Sequence, residues 1–206
     1  MRRGVQKASG FPRGSSPISR DAVSRRCGAD SCDPMNRRIV ILGFMGCGKT
    51  SVATELAHRL NCKLVDLDLF ITNREGRSPA EIIQQDGEPA FRELESVALS
   101  SVLQDREAQV IALGGGTWTM PANRTLVALH DCLSVWLDAP FKLCWKRISS
   151  SKNTIRPLAP DLETTRRKFE DRRLAYSLAE HQVTVSEFED AKAIADRIVN
   201  SLRPAS

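Results

Sequence analysis

The sequence lacks three features that would each restrict its class. No stretch approaches the roughly 20 consecutive apolar residues that a membrane-spanning helix requires, and no apolar signal-peptide core stands near its start. No paired framework links the six cysteines, which stand at positions 27, 32, 47, 62, 132 and 144. We therefore expect reduced thiols in a cytoplasmic protein. No second Cys or His pair follows Cys27 and Cys32 at zinc-finger spacing, so a zinc site is not expected.

The positive charge is unevenly distributed. The formal net charge is +5, but residues 1–38 alone carry nine basic and three acidic side chains. The rest of the chain is therefore nearly neutral, at about −1. Because a nucleic-acid-binding domain concentrates basic residues within its fold, this distribution does not favour a nucleic-acid partner.

Residues 1–37 form a basic leader rich in Gly, Ser, Pro and Arg, without apolar periodicity. This composition predicts disorder. Three explanations stay open. The leader could be a transit peptide, which would make a plastid location possible. It could be a tail that binds an acidic partner. It could also be an extension without function, since Met35 would make a good start just before the first predicted strand.

Beyond the leader, short apolar runs alternate with longer amphipathic segments. This alternation predicts one α/β domain over residues 38–203, with helices on both faces of a central parallel sheet. The polar stretch 149–161 contains IRPLAP and lacks periodicity, which predicts a mobile lid. The predicted strands are 39–42, 63–65, 110–113, 133–137 and 183–185. The predicted helices are 49–60, 78–85, 88–104, 121–129, 140–148, 162–180 and 189–202.

Residues 43–50 (GFMGCGKT) follow the first predicted strand and precede a helix, and they fit the P-loop pattern. The glycines allow backbone N–H groups to turn toward phosphate oxygens, and the helix N-terminus adds its positive end. Lys49 would reach the β- and γ-phosphates, and Thr50 would bind Mg²⁺ through its hydroxyl. The motif predicts a nucleoside triphosphate ligand but leaves kinase, ATPase and GTPase activities open.

Two carboxylates follow the second predicted strand. Asp66 and Asp68 are two residues apart, so we expect both on one face at the carboxyl end of the strand, where open α/β sheets bind ligands. Either one could hold a metal-bound water or accept a proton from a hydroxyl. Alternatively, Asp68 could cap the helix that follows.

Two further segments suggest a binding site. Ser78 and Glu81 form a predicted capping box, and Gly87 would separate that helix from the next one. Arg92 lies one turn into this second helix, where it could be a solvated charge or a fork for a carboxylate. The glycines at 114–116 end a buried strand, which predicts a turn that another group approaches closely.

Taken in order, these motifs resemble those of the shikimate kinase family. The resemblance runs from about residue 39 to about residue 198 and rests on GFMGCGKT, VDLD, SPAEIIQQDGEPAFRELE and ALGGG, with RPLAP in place of the lid motif. It implies a three-layer α/β/α P-loop NTPase fold with about five strands and a mobile lid. It also implies transfer of the ATP γ-phosphoryl group to the 3-hydroxyl of shikimate, giving shikimate 3-phosphate for aromatic amino acid biosynthesis.

The resemblance also implies roles for individual residues. Asp68 would orient the attacking hydroxyl and could take its proton, and Asp66 would lie in the outer shell of a Mg²⁺ ion bound by Thr50. The implied catalytic residues are Lys49, Asp68 and Arg156. The implied ATP-binding residues are Gly46, Cys47, Gly48, Lys49, Thr50, Ser51 and the lid residue Arg156. The implied shikimate-binding residues are Asp68, Arg92, Gly114, Gly115, Gly116 and Arg172.

The resemblance leaves two assignments open. Either Arg172 or its neighbour Arg173 would pair with the substrate carboxylate. The arginine expected on adenine is best matched by Arg147, although Ser149 lies closer to the family spacing. In addition, Leu178 stands where the family often has an acid.

The expected ligands are shikimate, ATP and one Mg²⁺ per subunit, with no nucleic-acid or membrane partner, in a cytoplasmic monomer. One alternative is another P-loop metabolite kinase such as a gluconate kinase, which should not need Arg92 and Arg172 together with three glycines. Another is a GTP-dependent switch, but the sequence lacks the Asn-Lys-x-Asp segment that would bind guanine. A catalytically inactive, regulatory family member is disfavoured because Lys49, Thr50, Asp68, Arg92 and Arg156 are all present.

Overall fold

The computed structural model describes residues 37–150 and 158–202. These residues belong to one compact unit, Asp33–Ser206. The predicted disordered leader lies outside the described residues except for Arg37, and so do Arg156 and most of the predicted lid. Within the described ranges, no helix is both long and apolar enough to cross a bilayer.

A sheet of five parallel strands lies at the centre, in the order β2-β3-β1-β4-β5. All four residues of β1 are buried, as expected for a central parallel strand covered on both faces. The predicted α/β architecture with five parallel strands is therefore confirmed. The strands are β1 Ile39–Leu42, β2 Leu64–Asp66, β3 Val110–Ala112, β4 Leu133–Asp138 and β5 His181–Thr184.

The described residues contain eight α-helices and one short 3-10 turn, Thr117–Thr119; seven of the helices lie between strands, and the eighth follows β5. Seven of the helices match predicted segments to within a few residues; α7 ends at Tyr176, four residues earlier than predicted. The helices are α1 Lys49–Leu60, α2 Leu67–Glu75, α3 Pro79–Asp86, α4 Glu88–Asp105, α5 Pro121–Leu129, α6 Phe141–Ser150, α7 Leu162–Tyr176 and α8 Ala191–Leu202.

The predicted capping box at the start of α3 is confirmed. The Ser78 hydroxyl accepts from the Glu81 N–H at 3.3 Å, and the Glu81 carboxylate accepts from the Ser78 N–H at 2.7 Å. These two bonds satisfy backbone donors that have no partner inside the helix. Gly87 then separates α3 from α4 with a φ of 90°, which places Arg92 one turn inside α4.

The alternative role considered for Asp68, as the cap of α2, is wrong. Asp66, rather than Asp68, is the N-cap: its Oδ1 accepts from the N–H groups of Asp68 at 3.0 Å and Leu69 at 3.3 Å. The two carboxylates also do not share a strand face, because Asp66 ends β2 whereas Asp68 lies in the first turn of α2. The chain turns into a helix between them, so the period of two that would align their side chains is lost.

Candidate active site

The P-loop connects β1 to α1 and needs glycine at more than one position. Gly46 has a φ of 78° and Gly48 a φ of 104°, values that favour glycine. A Cβ atom on Gly46 would also lie 2.7 Å from the carbonyl oxygen of Cys144 in α6. The predicted strand–loop–helix context of the motif is therefore present.

The side chains of the P-loop point in different directions. The Lys49 Nζ donates to the carbonyls of Gly43 and Phe44, both at 3.1 Å, so the ammonium lies over the loop. Thr50 and Ser51 are exposed in the first turn of α1. The Cys47 side chain is 1% exposed, and its N–H donates to the Phe44 carbonyl at 3.2 Å. The Cys47 thiol thus faces the core and not the predicted nucleotide.

Asp66 connects the P-loop helix to the second strand. Its Oδ2 accepts from the Thr50 hydroxyl at 2.6 Å, while its Oδ1 caps α2. The carboxylate is therefore fixed through both oxygens. The two residues predicted around Mg²⁺ are adjacent in the structure.

The carboxyl group of Asp68 lies in a largely desolvated position. Burial, the dominant cause, raises its pKa to about 6, and the nearby carboxylates Glu95 and Asp66 raise it further, against the lowering effect of Lys49 and Arg92. A pKa in this range suits a group that must be ionised near neutral pH and still accept a proton.

A cavity of about 600 Å³ opens beside Asp68. It brings together predicted substrate residues from four separate parts of the chain: α2, α4, the turn after β3, and α7. Its lining includes Met45, Asp68, Thr72, Ile83, Phe91, Arg92, Glu95, Gly115, Gly116, Leu158 and Arg172. The predicted substrate residues that line it are Asp68, Arg92, Gly115, Gly116 and Arg172.

Arg92 is held on α4 by two carboxylates of its own helix. Its Nη2 pairs with Glu88 at 2.6 Å, and its Nη1 pairs with Glu95. Glu95 is 1% exposed and also accepts from the Thr117 hydroxyl at 2.6 Å. These pairs make Arg92 a rigid part of the cavity wall instead of a solvated surface charge.

Glu95 belongs to the site although the sequence analysis assigned it no role. Its spacing of three residues from Arg92 on a helix was the available signal, because such residues are neighbours on the helix surface. That spacing is common for solvated pairs, and the burial of Glu95 depends on Thr117, 22 residues away.

Two of the three glycines, Gly114 and Gly116, explain why the cavity wall can be so tightly packed. A Cβ atom on Gly114 would lie 2.9 Å from Asp68 Oδ1 and 3.0 Å from Thr117 Oγ1, and it would overlap Glu95 Oε1. A Cβ atom on Gly116 would overlap the Arg92 guanidinium. The predicted close approach at this turn is confirmed, and the approaching groups are side chains of the protein itself.

Gly115 joins the turn to α7. Its carbonyl accepts from the Tyr176 hydroxyl at 2.5 Å and from Arg172 Nη1 at 3.2 Å. Tyr176 is 1% exposed, and burial raises the pKa of its phenol far above the ordinary value, so it remains a neutral donor. Arg172 is consequently held at the edge of the cavity.

Of the two adjacent arginines, Arg172 lines the cavity, whereas Arg173 pairs with Asp138 at the end of β4.

Of the two residues considered for adenine, Arg147 contacts the P-loop: its Nη1 donates to the carbonyls of Gly46 at 3.3 Å and Cys47 at 3.1 Å. Ser149 instead bonds back to its own helix, at the carbonyls of Trp145 and Lys146.

Comparisons with known proteins agree with this geometry. The family model described as Shikimate kinase matches residues 45–203. A shikimate kinase from Synechococcus sp. (strain CC9605) is 37% identical over 185 residues, covering 84% of this chain and 89% of the relative. One from Flavobacterium johnsoniae is 36% identical over 154 residues, covering 72% of this chain and 89% of the relative.

A solved structure is also similar. The shikimate kinase from Acinetobacter baumannii, in complex with shikimate, superimposes with a TM-score of 0.73 at 28% identity. The match covers 84% of this chain and 96% of that chain.

Proposed function

The chain belongs to the shikimate kinase family, and we propose that it carries out its reaction in the cavity beside Asp68. Members of this family are ATP-dependent kinases that act on a hydroxyl of shikimate. The observation that carries the proposal is the convergence of Asp68, Arg92, Gly115 and Arg172 on one cavity.

The carboxylate of shikimate binds Arg92 and Arg172. Arg92 presents a guanidinium fixed by Glu88 and Glu95, and Arg172 enters from α7. A guanidinium fork matches a carboxylate in shape and charge. Arg92 already has two carboxylate partners, whereas Arg172 donates to the Gly115 carbonyl and, within the described residues, to no carboxylate. An acceptor without a carboxylate would leave the charge of Arg172 uncompensated, which is costly in a desolvated site.

Asp68 orients the hydroxyl that attacks the γ-phosphorus and takes its proton. The raised pKa of Asp68, about 6, leaves the group ionised at pH 7 to 8 and still basic enough to accept that proton. Phosphoryl transfer depends mostly on positioning and on neutralising charge. Asp68 contributes the positioning at the acceptor side.

Lys49 contributes the charge at the donor side. In the structure its ammonium bonds to the carbonyls of Gly43 and Phe44, from which it turns to the β- and γ-phosphates. The backbone N–H groups of the P-loop bind the phosphate oxygens. Arg156, outside the described residues, is proposed to reach the phosphates from the lid.

The residues around Thr50 suit a magnesium ion. Mg²⁺ prefers oxygen ligands and is usually held by one or two protein oxygens together with substrate phosphates and water. The Thr50 hydroxyl and the Asp66 carboxylate, 2.6 Å apart, supply such oxygens. Thr50 would bind the ion directly and Asp66 through water. When bound, Mg²⁺ neutralises charge on the phosphates.

We infer the position of the nucleoside from the order of the strands. Asp68 and the glycine turn follow β2 and β3, which lie on one side of β1. In this proposal the γ-phosphate points that way and the nucleoside extends toward β4 and β5. Arg147 lies on that side, at the Gly46 and Cys47 carbonyls. Phe188, 97% exposed, follows β5, and a 2.5 Å Lys146–Glu187 pair ties its loop to α6. The proposal places adenine against Arg147 and Phe188.

The proposal also includes a monomer in the cytoplasm. The cavity-lining residues of one chain supply both acceptor arginines and Asp68, so a partner subunit is not needed to complete them. The four described cysteines are free, as expected in a reducing compartment. The molar mass in solution, measured by light scattering, checks the monomer.

ADP release by the purified chain tests the function. Shikimate is expected to stimulate release, whereas gluconate, a linear polyol that also carries a carboxylate, is expected to leave it at the level without acceptor. Stimulation by gluconate alone would favour the alternative metabolite kinase. Lys49→Ala, which removes the P-loop cation, is the negative control for contaminating kinases.

A further inference from the structure

Arg173, next to the proposed substrate residue Arg172, turns away from the cavity and pairs with Asp138. We propose that Asp138 and Arg173 are positioning residues for substrate binding: their ion pair holds α7 in the orientation that presents Arg172 to the carboxylate of the acceptor. This inference rests on the role of Arg172 in the proposed function.

The pair has the geometry of a rigid connection. Arg173 Nη1 lies 2.7 Å from Asp138 Oδ1, and its Nη2 donates to Asp138 Oδ2 at 3.2 Å. The Asp138 side chain is 13% exposed and also accepts from Gln182 Nε2 at 2.8 Å. A bidentate arginine–carboxylate pair fixes orientation as well as distance.

Aromatic rings restrict the guanidinium further. Its central carbon lies 5.2 Å from the centroid of the Trp136 ring and 5.7 Å from that of Phe169. Trp136 belongs to β4, as Asp138 does, and Phe169 belongs to α7. Arg173 therefore fastens α7 to the sheet by its ion pair with Asp138 and by its cation–π contact with Trp136, whereas Phe169 restricts the guanidinium from within α7. A lysine would reproduce these contacts only in part.

Fixing Arg173 also fixes Arg172. Consecutive residues of an α-helix point about 100° apart around its axis. A rotation of α7 that withdrew Arg172 from the cavity would therefore pull Arg173 off Asp138.

Other described bonds hold the far side of α7. The Tyr176 hydroxyl bonds to the Gly115 carbonyl, and Trp118 Nε1 donates to the Ala175 carbonyl at 2.9 Å. The helix is thus clamped between the glycine turn and the end of β4.

Asp138 also stands close to the P-loop. The carbonyl of its neighbour Leu137 lies 2.8 Å from the position that a Cβ on Gly43 would occupy. Because Asp138 ends β4, the ion pair fixes the orientation of Arg172 relative to the strand that lies beside the P-loop. This position makes the pair a connection between the acceptor side and the nucleotide side of the site.

Two substitutions of similar size, Arg173→Gln and Asp138→Asn, distinguish a positioning role of the pair from a direct electrostatic effect of its charges on the bound substrate. If the charges acted directly on the bound carboxylate, Arg173→Gln would weaken shikimate binding and Asp138→Asn would strengthen it. If the pair positions Arg172, both variants weaken it. We expect the KM for shikimate to rise about tenfold in each, within the range of coupling found between residues in contact, with the KM for ATP unchanged.

Shikimate methyl ester, which has no carboxylate, provides the second arm. The loss in kcat/KM caused by Arg173→Gln is expected to vanish with the ester, because Arg172 then has no anion to bind. Arg173→Lys should recover part of the loss with shikimate. Arg167→Gln, an exposed arginine of the same helix, is the matched control and should behave as the unmodified chain.

Three results would overturn the inference: equal losses with shikimate and its ester, an unchanged KM for shikimate, or tighter binding in Asp138→Asn. Melting temperatures measured in parallel identify a variant that has lost its fold. If Arg173→Gln does not fold, the comparison of shikimate with its methyl ester is repeated with Arg173→Lys. Arg172→Ala separates a failure of the ion-pair inference from a failure of the proposed role of Arg172. If Arg172→Ala leaves shikimate kinetics unchanged, the assigned role of Arg172 itself is wrong.

Discussion

The backbone of Gly116 lies directly against the guanidinium of Arg92, so closely that a single methyl group at position 116 would overlap it. The turn after β3 and the N-terminal part of α4 thus pack so closely that one further carbon atom would not fit between them. The proposed carboxylate-binding arginine owes its position to a residue that has no side chain.

Gly116→Ala is therefore expected to displace Arg92 from its present position. The backbone of Gly116 is compatible with alanine, since its φ is −110°, so the effect should come from the clash alone. We expect shikimate affinity to fall about tenfold or more, as for misplaced substrate-positioning groups, with ATP affinity unchanged. Calorimetric titration of each ligand measures this.

Gly76→Ala is the control for that experiment. Gly76 ends α2, and a Cβ there would meet nothing within 4 Å, although its φ of 67° disfavours alanine. This variant should lose stability but keep its shikimate affinity. Equal shikimate affinity in Gly116→Ala and the unmodified chain would contradict the fitted arrangement.

The pKa of Asp68 predicts how activity depends on pH. In the proposed mechanism the ionised carboxylate is the active form. Since its pKa is raised to about 6, kcat/KM for shikimate should fall as the pH falls through about 6. The decrease should approach tenfold per pH unit, since one proton inactivates the group. A profile that stays level down to pH 4.5, near the ordinary range of an aspartate, would show that Asp68 is not the titrating base.

The same shift predicts a stability effect with a definite sign. The pKa of Asp68 is 3.8, the ordinary value, in the unfolded chain and about 6 in the folded one. The charged form therefore lowers the free energy of unfolding, by at most about 3 kcal/mol. This loss is fully present above pH 6 and absent below about pH 4.

Asp68→Asn should thus raise the melting temperature at pH 8 and change it little at pH 4, while abolishing most turnover. Thermal unfolding at the two pH values checks the prediction. Asp86→Asn, at the C-terminal end of α3 and outside the cavity lining, is the control for replacing a carboxylate. A lower melting temperature for Asp68→Asn at pH 8 would contradict the desolvation account.

Phe188 predicts a nucleotide-specific effect. Because the ring is 97% exposed beside α6, its removal should cost little stability but should remove a surface for adenine. Phe188→Ala is expected to raise the KM for ATP severalfold, by analogy with losses of about 1–3 kcal/mol measured for base–aromatic stacking, and to leave the KM for shikimate unchanged. Leu174→Ala, 80% exposed on α7, is the control; an equal KM for ATP in all three chains would place adenine elsewhere.

The fold was predictable from sequence where its signals are local. The apolar run 39–42 and the GFMGCGKT motif identified β1 and the P-loop because the phosphate-binding chemistry lies within eight consecutive residues. Helix α2 received no predicted span because its apolar residues do not lie on one face: Leu67 and Ile71 are buried, whereas Leu69 is 59% exposed.

The details of the site depended on tertiary contacts instead. Arg172 and Arg173 are adjacent and identical in chemistry, so only the position of Asp138 separates their roles. The buried position of Glu95 likewise depends on the hydroxyl of Thr117, which donates to it, and on Gly114, where a side chain would overlap it. Neither residue is close to Glu95 in sequence.

The central claim, that this cavity binds the carboxylate of shikimate through Arg92 and Arg172, is tested most directly by titrating shikimate into the unmodified chain and into Arg172→Ala in a calorimeter. The account predicts that the variant binds shikimate at least tenfold more weakly, while ATP binds both chains alike. Equal shikimate affinity in the two chains would contradict it, because Arg172 would then not bind the carboxylate.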